Sequence, residues 1–98
     1  MEAILITTEN KKRKITINTF DEARQIVCNF QNNATLELIT LIDGTALLFD
    51  EEGKLKNLPF NELATKIAHE NQGLYPSDYI VGDVILIDEN EFDALPYE

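Results

Sequence analysis

A single cysteine, Cys28, and a single histidine, His69, are all that this chain offers of the side chains most used in covalent and metal chemistry. One cysteine excludes a disulfide within the chain, the usual reinforcement of small secreted domains. Cys28 falls inside a helical pattern with no strongly electropositive neighbour in sequence, so packing is its expected role. One histidine excludes a multi-histidine metal site in one chain, and His69 suits the negative end of a helix dipole. With no Cys–His pair and no Ser–His–Asp set, covalent catalysis has no constellation to start from. The four glycines, Gly44, Gly53, Gly73 and Gly82, are too widely spread to cradle a phosphate. No apolar run approaches the roughly 18 residues of a bilayer span. Glu2 stands where a secretory signal would carry Lys or Arg. The expectation is a cytoplasmic, non-enzymatic protein with no cofactor and no membrane contact.

Positive charge is the other scarcity. Eighteen acids against eight bases leave a net charge of −10. The imbalance is lopsided: residues 1–49 hold six acids and five bases, residues 50–98 twelve acids and three bases, so the halves carry −1 and −9. Direct nucleic-acid binding relies on Lys and Arg neutralising phosphates, and this balance argues against it. The only basic run, Lys11-Lys12-Arg13-Lys14, is expected to be a solvated hairpin loop.

What is present is enough for one domain over residues 1–98, with 44% hydrophobic residues to fill a core. Ala3-Ile4-Leu5-Ile6-Thr7-Thr8 and the alternating Lys14-Ile15-Thr16-Ile17-Asn18 predict a hairpin about Glu9-Asn10-Lys11-Lys12. Thr19-Phe20-Asp21-Glu22 has the form of a capping box, in which Thr19 and Glu22 satisfy each other's backbone amides. Phe20, Ala23, Val27 and Phe30, with Ile26 beside them, make one apolar helical stripe. Asn29 to Asn33 ends it. Leu36–Ile42 and Thr45–Phe49 flank Asp43-Gly44, a dipeptide suited to a type I′ hairpin turn. Both strands carry apolar residues on both faces, which predicts central strands or a second covering layer. Phe60, Leu63, Ala64, Ile67 and Ala68 form the stripe of a second helix, roughly 60–70. Gln72-Gly73 stops it, and Pro76 keeps the following chain extended. Tyr79-Ile80-Val81 and Val84–Ile87 predict an interior strand bent at Gly82-Asp83. From Asp88 onward the chain is an acidic tail whose Phe92, Leu95 and Tyr97 can pack or meet a partner. The class is α+β, in the order ββαββαβ, with two helices expected on one face of a mostly antiparallel sheet.

The carboxylate runs Asp50-Glu51-Glu52 and Asp88-Glu89-Asn90-Glu91 do not match a calcium loop, because no Gly or terminal Glu follows at the required spacing. No pair of acids stands out as a glycosidase pair.

The run Asp50-Glu51-Glu52-Gly53-Lys54-Leu55, then Leu58-Pro59-Phe60-Asn61, then Tyr79-Ile80-Val81-Gly82-Asp83-Val84 resembles a family of small proteins classed as a domain of unknown function. That family is encoded by phages, plasmids and conjugative elements. The likeness is strongest over residues 36–87, and Phe60 departs from it by replacing a small or aliphatic residue. It implies an accessory protein of mobile DNA and carries over no catalytic residues. Gly44, Gly53, Pro59, Asn61 and Gly82 all have structural readings in turns, bends and helix entry. The surplus apolar character of the strands, without catalytic groups, points to a module that binds a protein or itself. Its expected surface comprises Asp50, Glu51, Glu52, Pro59, Asn61, Asp83, Asp88, Glu89 and Glu91. Two other readings stay open: a nucleic-acid mimic that inhibits a host defence protein, and a small-ligand domain or enzyme.

Overall fold

The computed structural model describes residues 1–28 and 35–96. The predicted ends at Asn29–Asn33, Phe30 and Tyr97 lie outside the described residues. The chain runs β1 (Glu2–Ile6), β2 (Lys12–Thr16), α1 (Phe20–Val27), β3 (Leu36–Thr40), β4 (Thr45–Asp50), α2 (Glu62–Glu70), β5 (Val84–Asp88) and α3 (Glu89–Asp93). The strands form one antiparallel sheet in the order β2-β1-β5-β4-β3. The α+β class and the ββαββαβ order are those of the sequence pattern, with α3 added where an acidic tail was expected.

Both hairpins close in the same way. Thr7 pairs with Lys11, Asn10 donates its N–H to the Thr7 carbonyl and Asn10 has φ +63°. Leu41 pairs with Thr45, Gly44 donates to the Leu41 carbonyl and Gly44 has φ +89°. Each is a three-residue loop ending in a left-handed residue, so Asp43-Gly44 is not the two-residue type I′ turn. The Asp43 carboxylate instead accepts from the Thr45 amide and hydroxyl. The first loop being Thr8-Glu9-Asn10, the basic run is not a loop either. Lys12, Arg13 and Lys14 form the edge strand β2, and charge there discourages uncontrolled edge pairing.

The registers divide the sheet into two faces. Ala3, Leu5, Ala46, Leu48, Ile85 and Ile87 share one; Ile4, Ile6, Leu47, Phe49, Val84, Leu86 and Ile39 share the other. Each face holds side chains with no exposure: Ala46, Leu48 and Ile85 on the first, Ile6, Leu47 and Val84 on the second. Both faces are therefore covered. α1 lies over the first through Ala23 and Val27, packed on β4 and β5. α2 lies on the second side: three residues past its end, an added Cβ at Gly73 would stand 2.7 Å from Ile39 Cγ2. The two helices thus take opposite faces rather than sharing one. The doubly apolar strands β4 and β5 require this, since one layer would leave the other side of the sheet wet.

At α1, Thr19 caps the Glu22 amide at 3.1 Å, while the Glu22 carboxylate reaches back to Asn18, at 2.8 Å, instead of Thr19. The capping box is present, shifted by one residue on its return side. α3 follows β5 directly, capped by Asp88, and Phe92 meets Phe20 with ring centroids 6.0 Å apart. Only Val84–Asp88 joins the sheet as the fifth strand. Tyr79–Val81 does not, apart from a single bridge between Val81 and Phe60.

Candidate functional site

The chain from Asp50 to Asn61 and from Tyr75 to Asp83 gathers at one end of the sheet, and Asn61 is its keystone. Asn61 has no exposure. Its Oδ1 accepts from the Ala64 amide at 3.0 Å, capping α2. Its Nδ2 donates to the Ile6 carbonyl at 3.0 Å and the Gly82 carbonyl at 2.8 Å. One amide thereby ties a helix start, the end of β1 and the bend before β5. Gly82 has φ +79°, and a Cβ on it would meet Leu58 Cδ1 at 2.8 Å, so glycine is required there. Thr65 adds a second tie, accepting from the Ile80 amide at 2.9 Å.

This frame holds apolar side chains outward. Phe60, the residue before the cap, is 52% exposed and is not part of the buried stripe of α2. Its ring meets Tyr79, 46% exposed, at 6.2 Å between centroids in an edge-on pair. Lys54 Nζ sits 4.2 Å from the Tyr79 ring centroid and 2.6 Å from Asp78 Oδ1. Leu55 follows Lys54 and is among the most exposed large apolar residues. The Asp78 amide donates to the Tyr75 carbonyl, closing a turn. His69 Nε2 lies 2.8 Å from the Asp78 carbonyl oxygen.

Behind the aromatic pair is a cavity of about 200 Å³, lined by side chains including Glu37, Ile39, Phe49, Glu51, Lys54 and Asp78. Burial, then Glu51 and Asp78, raise the Glu37 carboxyl above its ordinary value. The hydrogen bond from Lys54 lowers Asp78 and raises Lys54, as a cation beside a carboxylate must. Among the described residues no group of three or more His, Cys, Asp or Glu could hold a metal ion. No helix there is long and apolar enough to cross a membrane.

The structure divides the expected surface in two. Asp50, Glu51, Glu52, Pro59, Asn61 and Asp83 lie at the end just described. Asp88, Glu89 and Glu91 lie at the other, where Asp88 pairs with Thr45. The six residues of β4 separate the groups by about 17 Å. Asn61 and Asp50 are buried, which removes both from any surface. Asp50, 4% exposed, pairs with Lys56 at 2.6 Å and accepts from the Glu52 amide. Asp83 is half-buried and accepts from the Thr8 amide. Asp88 is the cap of α3. Glu51, Glu52, Pro59 and Glu91 are exposed; Glu89 is half-buried. The sequence pattern missed Phe60 and Tyr79 because each sits in an apolar run that also reads as core. The signal available was Phe60 itself, a large ring directly before a helix cap.

A family described as a domain of unknown function (DUF3846) matches the chain over residues 1–98. No curated protein and no solved structure matches it.

Proposed function

The chain belongs to the DUF3846 family, a domain of unknown function, and we propose that it is a non-catalytic protein-binding module whose contact surface is centred on Phe60 and Tyr79. The observation that carries this reading is the exposed edge-on ring pair, held on a backbone fixed by Asn61 and the Phe60–Val81 bridge. Aromatic rings with little freedom to lose supply large contact area, and they recur at the energetic centres of interfaces. Lys54, Asp78 and Glu51 form a polar rim beside them, with the exposed Pro59 next to Phe60. The partner has an apolar pocket for the rings and basic groups facing the acids, whose charge speeds encounter more than it adds affinity. A cytoplasmic accessory role in a mobile genetic element is part of this proposal, and it rests only on the resemblance carried by Asp50–Leu55, Leu58–Asn61 and Tyr79–Val84.

Mimicry of a nucleic acid would rest on acids alone, yet these are split between two ends of the sheet and leave the ring pair without a role.

The test is affinity capture from the native host with the wild-type chain and with Phe60→Ser/Tyr79→Ser, washed at low and high salt. Capture of a protein by the wild type, retained at high salt and lost with the double variant, supports the reading. Capture that vanishes at high salt and ignores the double variant supports mimicry instead.

A further inference from the structure

The two edges of the sheet are built differently. At β2, the Thr7–Lys11 and Ile17–Met1 bonds show that Lys11, Arg13, Ile15 and Ile17 direct their backbone groups to β1. The N–H and C=O groups of Lys12, Lys14 and Thr16 therefore point outward. At β3, the Leu41–Thr45 and Glu51–Thr35 bonds show that the odd-numbered residues bond to β4. Leu36, Leu38 and Thr40 point their backbone groups outward, and no described residue pairs with them.

Pairing each edge with its own copy across a two-fold axis separates the two cases. For β2 the central pair would be Lys14 facing Lys14, a like-charge contact that opposes association. For β3 the central pair is Leu38 facing Leu38. Leu36 then faces Thr40 on the same side of the sheet, and Glu37 faces Ile39 on the other, so no two acids stand directly opposite. The outward groups of Leu36, Leu38 and Thr40 fall at the hydrogen-bonded positions of that register and would form six backbone bonds between two copies. Exposed apolar side chains border this edge. Leu38 is 40% exposed on β3, Ile42 is 70% exposed just beyond it, and Tyr75, 82% exposed, borders the groove lined by Glu37 and Ile39. An edge strand with exposed leucine and one acid, against the three bases of β2, invites another strand.

We propose that β3 is a self-pairing edge: two copies join antiparallel about Leu38 into one continuous ten-stranded sheet. This pairing is independent of the Phe60–Tyr79 surface, so either can fail without the other. The experiment is sedimentation equilibrium of the full chain over a wide concentration range, with two kinds of variant. The wild type is expected to reach a dimer. Leu38→Lys, which sets two ammonium groups on the axis, is expected to remain monomeric with unchanged circular dichroism and a thermal midpoint that no longer depends on concentration. In a Cys28→Ala background, Leu38→Cys is expected to cross-link between copies under mild oxidation, since residues at a hydrogen-bonded pair have Cα atoms about 5.5 Å apart. Thr40→Cys, opposite Leu36 in this register, is expected not to. A wild type that stays monomeric, a dimer that survives Leu38→Lys, or a Thr40→Cys chain that cross-links as readily as Leu38→Cys would each overturn the proposal.

Discussion

Replacing Asn61 by alanine removes three hydrogen bonds from a site with no exposure: one to the Ala64 amide and two to the carbonyls of Ile6 and Gly82. A lost N-cap costs about 1 kcal/mol, and each buried bond lost costs about 1 kcal/mol more, so the total is about 3 kcal/mol. That is a large part of the 5–15 kcal/mol by which such domains are stable. In urea, at a slope of about 1.5 kcal/mol per molar, the midpoint falls by about 2 M with the slope unchanged. Asn61→Asp sharpens the reasoning. It keeps an oxygen for the Ala64 amide but turns a second oxygen toward two carbonyls, so at neutral pH it is expected to be no better than alanine. Lowering the pH then recovers part of the loss, because a protonated carboxyl can donate one bond. A loss under about 1 kcal/mol for Asn61→Ala, or wild-type stability for Asn61→Asp at neutral pH, would refute the keystone role.

Gly44 and Gly82 both have positive φ, but an added Cβ at Gly44 meets nothing within 4 Å while one at Gly82 meets Leu58. Gly44→Ala is therefore expected to lose about 1–2 kcal/mol from backbone strain alone, and Gly82→Ala clearly more; equal losses in urea melts would contradict the packing argument. Glu37 has its carboxyl raised above 4.5 by burial and by Glu51 and Asp78. Its protonated form is thus favoured on folding, so this contribution is full below 4.5 and is lost as pH rises through the raised value. Glu37→Gln is expected to melt above the wild type at neutral pH and to converge with it in acid, as differential scanning calorimetry can check. Cys28, 2% exposed with its thiol pushed up to about 11 by burial and by Asp50, is expected to react with iodoacetamide only on unfolding. Labelling at the rate of a free thiol in the folded chain would contradict its burial.

Elements with local causes were legible in the sequence. Thr19 and Asp21-Glu22 announce the start of α1, and the glycine and asparagine at the two hairpins announce reversals. The details decided by distant partners were not. A reversal at Asp43-Gly44 is written locally, but its three-residue form depends on Leu41 pairing with Thr45. Tyr79–Val81 has the composition of a strand, yet the Thr65 hydroxyl and Phe60 take up its backbone instead of the sheet. Asn61 and Phe60 stand against their local pattern. Polarity suggested that Asn61 was outside and Phe60 inside, and the structure reverses both. Asn61 finds three partners in the interior, and Phe60, standing before the cap, is turned off the buried face of α2. The acidic runs look like one surface in sequence, which does not show that β4 sets them at opposite ends.

The functional reading rests on contact at the Phe60–Tyr79 surface, and site-specific photocrosslinking in the native host tests it most directly. A photoreactive residue placed at Phe60 is expected to capture a distinct heterologous protein, while one placed at the exposed Gln25 on α1 captures none. Equal capture at both positions, or capture only at Gln25, would contradict the account.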